Sequence, residues 1–387
     1  MPPLDHVLSD ELRALDQAGL RRTLRPLDSR HGALVDENGR ELVDFASNDY
    51  LGLASDPRLA RAAAVALERA GTGAGAARLI SGHHVLHQQL ETALAAFLDV
   101  ERALLFSSGY LANTGTIPAL VGQGDAIYSD RANHASLIDG CRLSRAEVHI
   151  IPHADCAALE RALEQTGKRY RRRLIVVEGI YSMDGDLYPL ESLPDLARRH
   201  DAWTYVDDAH GIGVLGETGR GAVEQRGVRG AIDVWMGTLG KALGTAGAFV
   251  GGSSTLIDYI SNRARSFVFT TGSPPALAAA ALEALEIVVR EPERRCRVWE
   301  TARRLRAGIK ALGRHAAGPD TGHIIPVIIG SNDDTMRAGA ALRGAGFLVG
   351  AVRPPTVPAG TSRLRLTVSS SHTAHQVDAL LEALART

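Results

Sequence analysis

From residue 46 onward the chain alternates short unbroken apolar runs with longer stretches in which apolar residues recur every third or fourth position. Unbroken runs are what strands buried on both faces look like, and recurrence at three and four marks helices. "RALLF", "DAIYSD", "EVHIIPH", "RRLIVVEG", "AWTYVDD", "DVWMGT" and "AGAFVGG" are the strand candidates. Strands alternating with helical segments predict an α/β fold: a large, mainly parallel sheet sandwiched by helices. Ligands of such sheets sit at the carboxyl ends of the strands. The distinctive residues follow "LLF", "IVVEG", "TYV" and "VWMGT", so the pattern itself locates a candidate site.

The two ends of the chain read differently. "DELRALDQAGLRR" has helical spacing, and "HGALVDENGRELVDF" alternates on either side of Asn38-Gly39, a type I′ hairpin signal. Residues 1–45 are therefore expected to form a helix-and-hairpin arm. Residues 46–285 are expected to form the large domain, and 286–387 a smaller C-terminal α/β domain. "IVVREPERRCRVWETARRLRAGIKALG" reads as one long charged helix, followed by strands in "HIIPVIIG" and "TSRLRLTVSS".

Composition removes several function classes. The 387 residues carry 43 Lys and Arg against 44 Asp and Glu, a formal net charge of -1, which lacks the basic excess of a nucleic-acid binder. The three cysteines, Cys141, Cys156 and Cys296, are scattered and form no CxxC, which fits a reducing compartment and predicts no thiolate metal site. The first residues carry acids throughout and no apolar core, unlike a signal peptide, and no stretch reads as a membrane span. A cytoplasmic protein is expected.

Lys241 is the only charged residue in "VWMGTLGKALGTAGAFVGG", where it stands among glycines and alanines. Small neighbours let a large planar group approach the backbone. A lysine there is either an ordinary loop lysine or one that forms a Schiff base and later acts as a base. In "TYVDDAHGIGVLG", Asp207 ends a strand, where an acid can cap a helix, bind a metal or hold the proton of a pyridinium nitrogen. His210, three residues on, has the reach to donate to a ring phenolate. Gly211, Gly213 and Gly216 spell GxGxxG, yet four residues separate them from the strand and more glycines follow, so the dinucleotide reading is rejected.

Ser108, Gly109 and Tyr110 stand between a strand and a helix. That turn is either a plain cap or an anion site suited to a phosphate, with Thr238 a second phosphate candidate. His134 in "RANHASLIDG" carries little weight alone. His83 and His87 have metal-site spacing but no third ligand, and are expected on a polar helix face with no metal.

Taken together, the Ser-Gly-Tyr turn, "NHAS", "EGIYSMDGD", "VDDAHGIGVLGETGRG" and "GTLGKALG" resemble the α-oxoamine synthases, pyridoxal-phosphate enzymes of aminotransferase fold type I. The resemblance runs from "FASNDYLGL" to the last helix. It implies pyridoxal 5'-phosphate carried on Lys241, with Asp207 at the ring nitrogen, His210 at the phenolic oxygen and His134 over the ring. Ser108, Gly109, Tyr110, Thr238 and Ser182 would complete the cofactor contacts. "AVRPPTVPAGTSRLRLTVSS" resembles members that condense L-alanine with a pimeloyl thioester and release CO2. Other members take glycine and an acetyl thioester. For substrates, the resemblance implies Arg365 at the amino acid carboxylate, Arg21 and Thr356 at the acyl chain, and Asn48 and His134 as further substrate-binding residues. It also implies a homodimer in which residues 267–275 reach the partner's site. Coenzyme A and an acyl carrier protein both remain open as acyl carriers.

Overall fold

The computed structural model describes residues 3–167, 169–319 and 322–387, in two compact units. The larger comprises Asn48–Ser182 and Asp186–Val298. At its centre is a seven-stranded sheet whose order is Arg102–Phe106, Ala248–Gly252, Val234–Thr238, Trp203–Asp207, Arg173–Glu178, Ala126–Asp130 and Glu147–Ile151. Only Ala248–Gly252 runs against its neighbours. It does so on both sides, so Arg102–Phe106 points the same way as the parallel strands beyond it, and all six place their carboxyl ends on one edge. Two of the central strands, "RLIVVE" and "VWMGT", are buried at every position, as their unbroken apolar texture requires.

Helices cover the sheet. Gly109–Leu120 packs on Ala135–Ser144, and residues from both helices join a core with Leu104, Ile127, Val176, Tyr205 and Val250. On Pro275–Arg290 lie Pro57–Ala70 and Val85–Leu98. That last packing moves the expected domain boundary. The helix beginning at Pro275 belongs to the large unit, and the division falls after Val298 rather than at 286. Nor is 287–313 one helix. Glu291, which precedes Pro292, leaves the helical region (φ -119, ψ 63), and a second helix, Glu293–Ala311, starts beyond it.

The second unit joins residues up to Ser47, Met183–Gly185 and Trp299–Thr387. Its N-terminal part is not a separate arm. The hairpin Leu34–Glu37 and Arg40–Asp44 turns at Asn38 and Gly39, both with positive φ as a type I′ turn demands. The same sheet takes in Phe347–Leu348, parallel to Arg40–Asp44, which ties the two chain ends together. A three-stranded sheet follows, with Ser362–Thr367 between Ile324–Gly330 and Gly350–Val352. Among the described residues, no helix is long and apolar enough to cross a membrane.

Candidate active site

The carboxyl edge of the large sheet holds a cavity of about 190 Å³. Its lining includes Gly109, Tyr110, His134, Asp207, His210, Thr238 and Lys241, so seven separately chosen residues meet in one place. Each arrives by its own route. Ser108 caps the helix Gly109–Leu120 by accepting from Leu111 N–H, which leaves the first turn of that helix facing the cavity. His134 caps Ala135–Ser144 in the same way. Asp207 and Thr238 are the last residues of adjacent parallel strands.

Lys241 Nζ lies 2.7 Å from His210 Nε2, and His210 Nδ1 lies 2.6 Å from the buried Tyr50 hydroxyl. Tyr50 donates to Asn48 Oδ1 at 3.1 Å. The imidazole thus bridges the Tyr50 hydroxyl and the Lys241 amine. Asp207 accepts from two donors, Asn113 Nδ2 at 2.7 Å and Ala209 N–H at 3.0 Å. Asn113 is fully buried. It also donates to Ser136 Oγ and accepts from the Tyr205 hydroxyl, so all of its partners are polar. Burial holds the His134 imidazole below its ordinary pKa, and its Nδ1 pairs with Ser136.

Tyr50, Asn113 and Glu178 are the residues that sequence reasoning missed. Asn113 leaves one signal, an amide inside an otherwise apolar helix. Glu178 was visible only as part of a quoted motif.

Several expectations need correction. The glycines beside Lys241 mostly make room for protein. A Cβ at Gly237 would strike the Phe249 ring, and one at Gly244 (φ +63) would meet the backbone at Leu53 and Ala54 at 2.5 Å. Two of the GxGxxG glycines likewise wrap carboxyl groups, since a Cβ at Gly211 would overlap Asp208 and one at Gly216 would overlap Glu224, while one at Gly213 would meet Ala242. No long helix opens there, and the next one is only Ala222–Gln225. His83 and His87 do not share a polar helix face. His84 is the N-cap, and His87 is buried, with Nε2 2.9 Å from Ser273 O. Burial takes the His87 pKa down to about 4.

Three further residues of the large unit, Asn48, Ser108 and Ser182, are not among the residues lining the cavity. Arg365, Arg21 and Thr356 belong to the smaller unit. Arg365 is buried on the central strand of the three-stranded sheet. Thr356 receives Arg22 Nη2 at 3.3 Å, while Arg21 pairs with Asp16 and its carbonyl accepts from Arg353.

The donor set fits pyridoxal phosphate. It offers an amine for an aldehyde, a buried carboxyl for a pyridinium, a capped helix N-terminus for a phosphate, and imidazoles at the cavity wall. The aminotransferase class I and II family profile matches residues 40–384. An 8-amino-7-oxononanoate synthase from Aromatoleum aromaticum is 49% identical over 99% of this chain and 98% of its own length. Another, from Anaeromyxobacter dehalogenans, is 52% identical over 97% and 94%. The chain belongs to the 8-amino-7-oxononanoate synthase family, within the class I and II aminotransferases. Solved structures agree on the type I fold of pyridoxal-phosphate enzymes. A serine palmitoyltransferase variant from S. paucimobilis, bound to an adduct of pyridoxal phosphate and myriocin, superposes with TM-score 0.93 at 31% identity, covering 99% of this chain and 96% of its own. An 8-amino-7-oxononanoate synthase from Francisella tularensis gives 0.78 at 28% identity, covering 89% and 97%.

Proposed function

We propose that this chain condenses L-alanine with a pimeloyl thioester to give 8-amino-7-oxononanoate, CO2 and the free thiol carrier, a step of biotin biosynthesis. One C–C bond forms, between alanine Cα and the thioester carbonyl. The C–S bond and the bond to the alanine carboxylate break. The observation that carries the reading is the Lys241–His210 contact at 2.7 Å in a cavity that also holds the doubly hydrogen-bonded Asp207. Bound pyridoxal phosphate supplies an aldehyde for Lys241 and an electron sink for charge developing at Cα.

The residues of this chain do the rest. Lys241 Nζ would hold the cofactor aldehyde and would take the proton from alanine Cα. His210, bridged between Tyr50 and Lys241, would hydrogen-bond the phenolic oxygen of the cofactor. Asp207 keeps the proton on the ring nitrogen. His134 would cover the ring, Ser108, Gly109, Tyr110 and Thr238 would receive the phosphate end, and Ser182 would be a further cofactor contact. Arg365 would pair with the alanine carboxylate, Asn48 would be a further substrate contact, and Arg21 and Thr356 would contact the acyl chain. The enzyme works as a cytoplasmic homodimer, with residues 267–275 serving the partner's site. Uncovered apolar side chains support the dimer: Phe269, Leu79 and Ile80 in the large unit, and Leu4, Leu8, Leu12 and Leu15 on a helix with no buried residue.

Mass spectrometry of the products tests the assignment. L-Alanine with pimeloyl-CoA or a pimeloyl-acyl carrier protein should yield the keto-amino acid, whereas glycine with acetyl-CoA should yield little. Preference for the glycine and acetyl pair would move the chain to another branch of the α-oxoamine synthases.

A further inference from the structure

Four carboxyl groups are buried at the carboxyl ends of the central strands: Asp130, Glu178, Asp207 and Asp208. The mechanism needs one of them, Asp207, as an anion. His153 neutralises Asp130, with its Nδ1 2.9 Å from Asp130 and its Nε2 2.7 Å from Asp186. Asp208 sits beneath the glycine loop. It accepts from Ala222 N–H and Trp235 Nε1, and burial pushes its pKa up to about 8, so it is largely neutral at neutral pH.

That leaves Glu178. It ends its strand in direct register with Asp207 on the adjacent one, it lines the cavity, and among the described residues it has a single donor, His134 N–H at 2.6 Å. Asp207, by contrast, has two donors. The charged or titratable groups facing Glu178 are Asp207, Asp130, Lys241, His134 and Tyr181. Two buried carboxyls beside one lysine do not both ionise, and the proton goes to the less hydrogen-bonded partner.

We propose that Glu178 is a positioning residue that works in its neutral, protonated form. Its carbonyl oxygen pins the backbone N–H of His134, and so the imidazole at the cavity, while its lost charge leaves Asp207 as the anion facing the cofactor ring. Burial and the neighbouring Asp207 both hold the Glu178 carboxyl well above the usual carboxylate range, in line with this role. The inference rests on the pyridoxal-phosphate reading of the site.

The test compares Glu178→Gln with Glu178→Ala in the full chain, by titrating pyridoxal phosphate into each and following the visible absorbance of the bound cofactor against pH. Glutamine mimics a protonated glutamate and keeps the acceptor for His134. It should hold cofactor affinity within about twofold of wild type at neutral pH, whereas alanine should weaken it about tenfold by stranding a buried N–H. The pH profile gives a readout that a merely structural role would not move. As pH rises, wild type should lose affinity while the glutamine variant should not. If glutamine is as damaging as alanine, the residue works as an anion and the proposal fails. If alanine leaves affinity unchanged, the pin on His134 has no role. Failure of wild type itself to bind the cofactor would instead overturn the reading beneath it.

Discussion

At the residue scale, surroundings separate two neighbouring carboxyl groups. Asp207 and Asp208 are neighbours in sequence and both are buried, yet they do opposite things. Asp207 faces the cavity with two donors, and Asp208 turns beneath a glycine loop. Lys241→Ala should abolish the visible absorbance of the bound cofactor and lower turnover by ~10³-fold or more, since it removes both a covalent anchor and a base. Asp207→Asn should leave much of the cofactor binding intact while slowing exchange of the alanine Cα proton by on the order of 10²-fold, because the electrostatic support for charge moving into the ring is lost. Solvent deuterium uptake into alanine measures this directly, and an unchanged rate would place the pyridinium partner elsewhere.

Individual residues were unevenly legible in the sequence. Lys241 stood out because a lone charge among small residues is conspicuous. Glu178 did not, because its meaning comes from register with Asp207 on the next strand. Asn113 and Tyr50 act on residues 94 and 160 positions away, and no local pattern encodes such a pairing.

Among the elements, turns and clamps hold the site. Strands and the Asn38-Gly39 hairpin were readable from periodicity, since burial on both faces and a two-residue turn each leave a local mark. The break at Pro292 was passed over in favour of continuous helical spacing, although proline was the better guide. The glycines near Lys241 were given to the cofactor, and the structure gives most of them to Phe249 and the backbone at Leu53. Gly237→Ala should therefore cost stability, by about 1–3 kcal/mol as an overpacked core position, measurable by denaturant unfolding. No loss would mean the Phe249 ring moves freely.

His153 clamps the end of one strand to the loop carrying Asp186. Hydrogen bonds to the two carboxylates raise its pKa to about 10. A raised folded-state pKa gives stability that is fully present below the unfolded value, near 6.5, and lost as pH climbs through about 10. Melting temperature should thus fall across that window in wild type and fall less steeply in His153→Gln. Parallel curves for the two proteins would show that the clamp is not charged.

For the whole molecule, the parallel sheet explains why chemistry gathers on one edge. Six strands point the same way, so their carboxyl ends bring residues from 109 to 241 into one cavity. The sequence showed this edge but not the joining of the chain ends, because the short strand Phe347–Leu348 that pairs with the hairpin is too brief to announce itself. At this scale the proposed dimer makes a plain claim. Sedimentation should show two copies per particle, and Phe269→Asp, at an exposed loop position, should shift the protein toward monomer with loss of turnover. A fully active monomer would contradict it.

The most direct test is an absorbance spectrum of the purified protein, recorded after adding pyridoxal phosphate, then L-alanine, then a pimeloyl thioester. We expect a visible band that forms with the cofactor, shifts with alanine and changes transiently with the thioester. A protein that stays colourless with pyridoxal phosphate would show that Lys241 bonds no aldehyde, and the assignment of the cavity would fall with it.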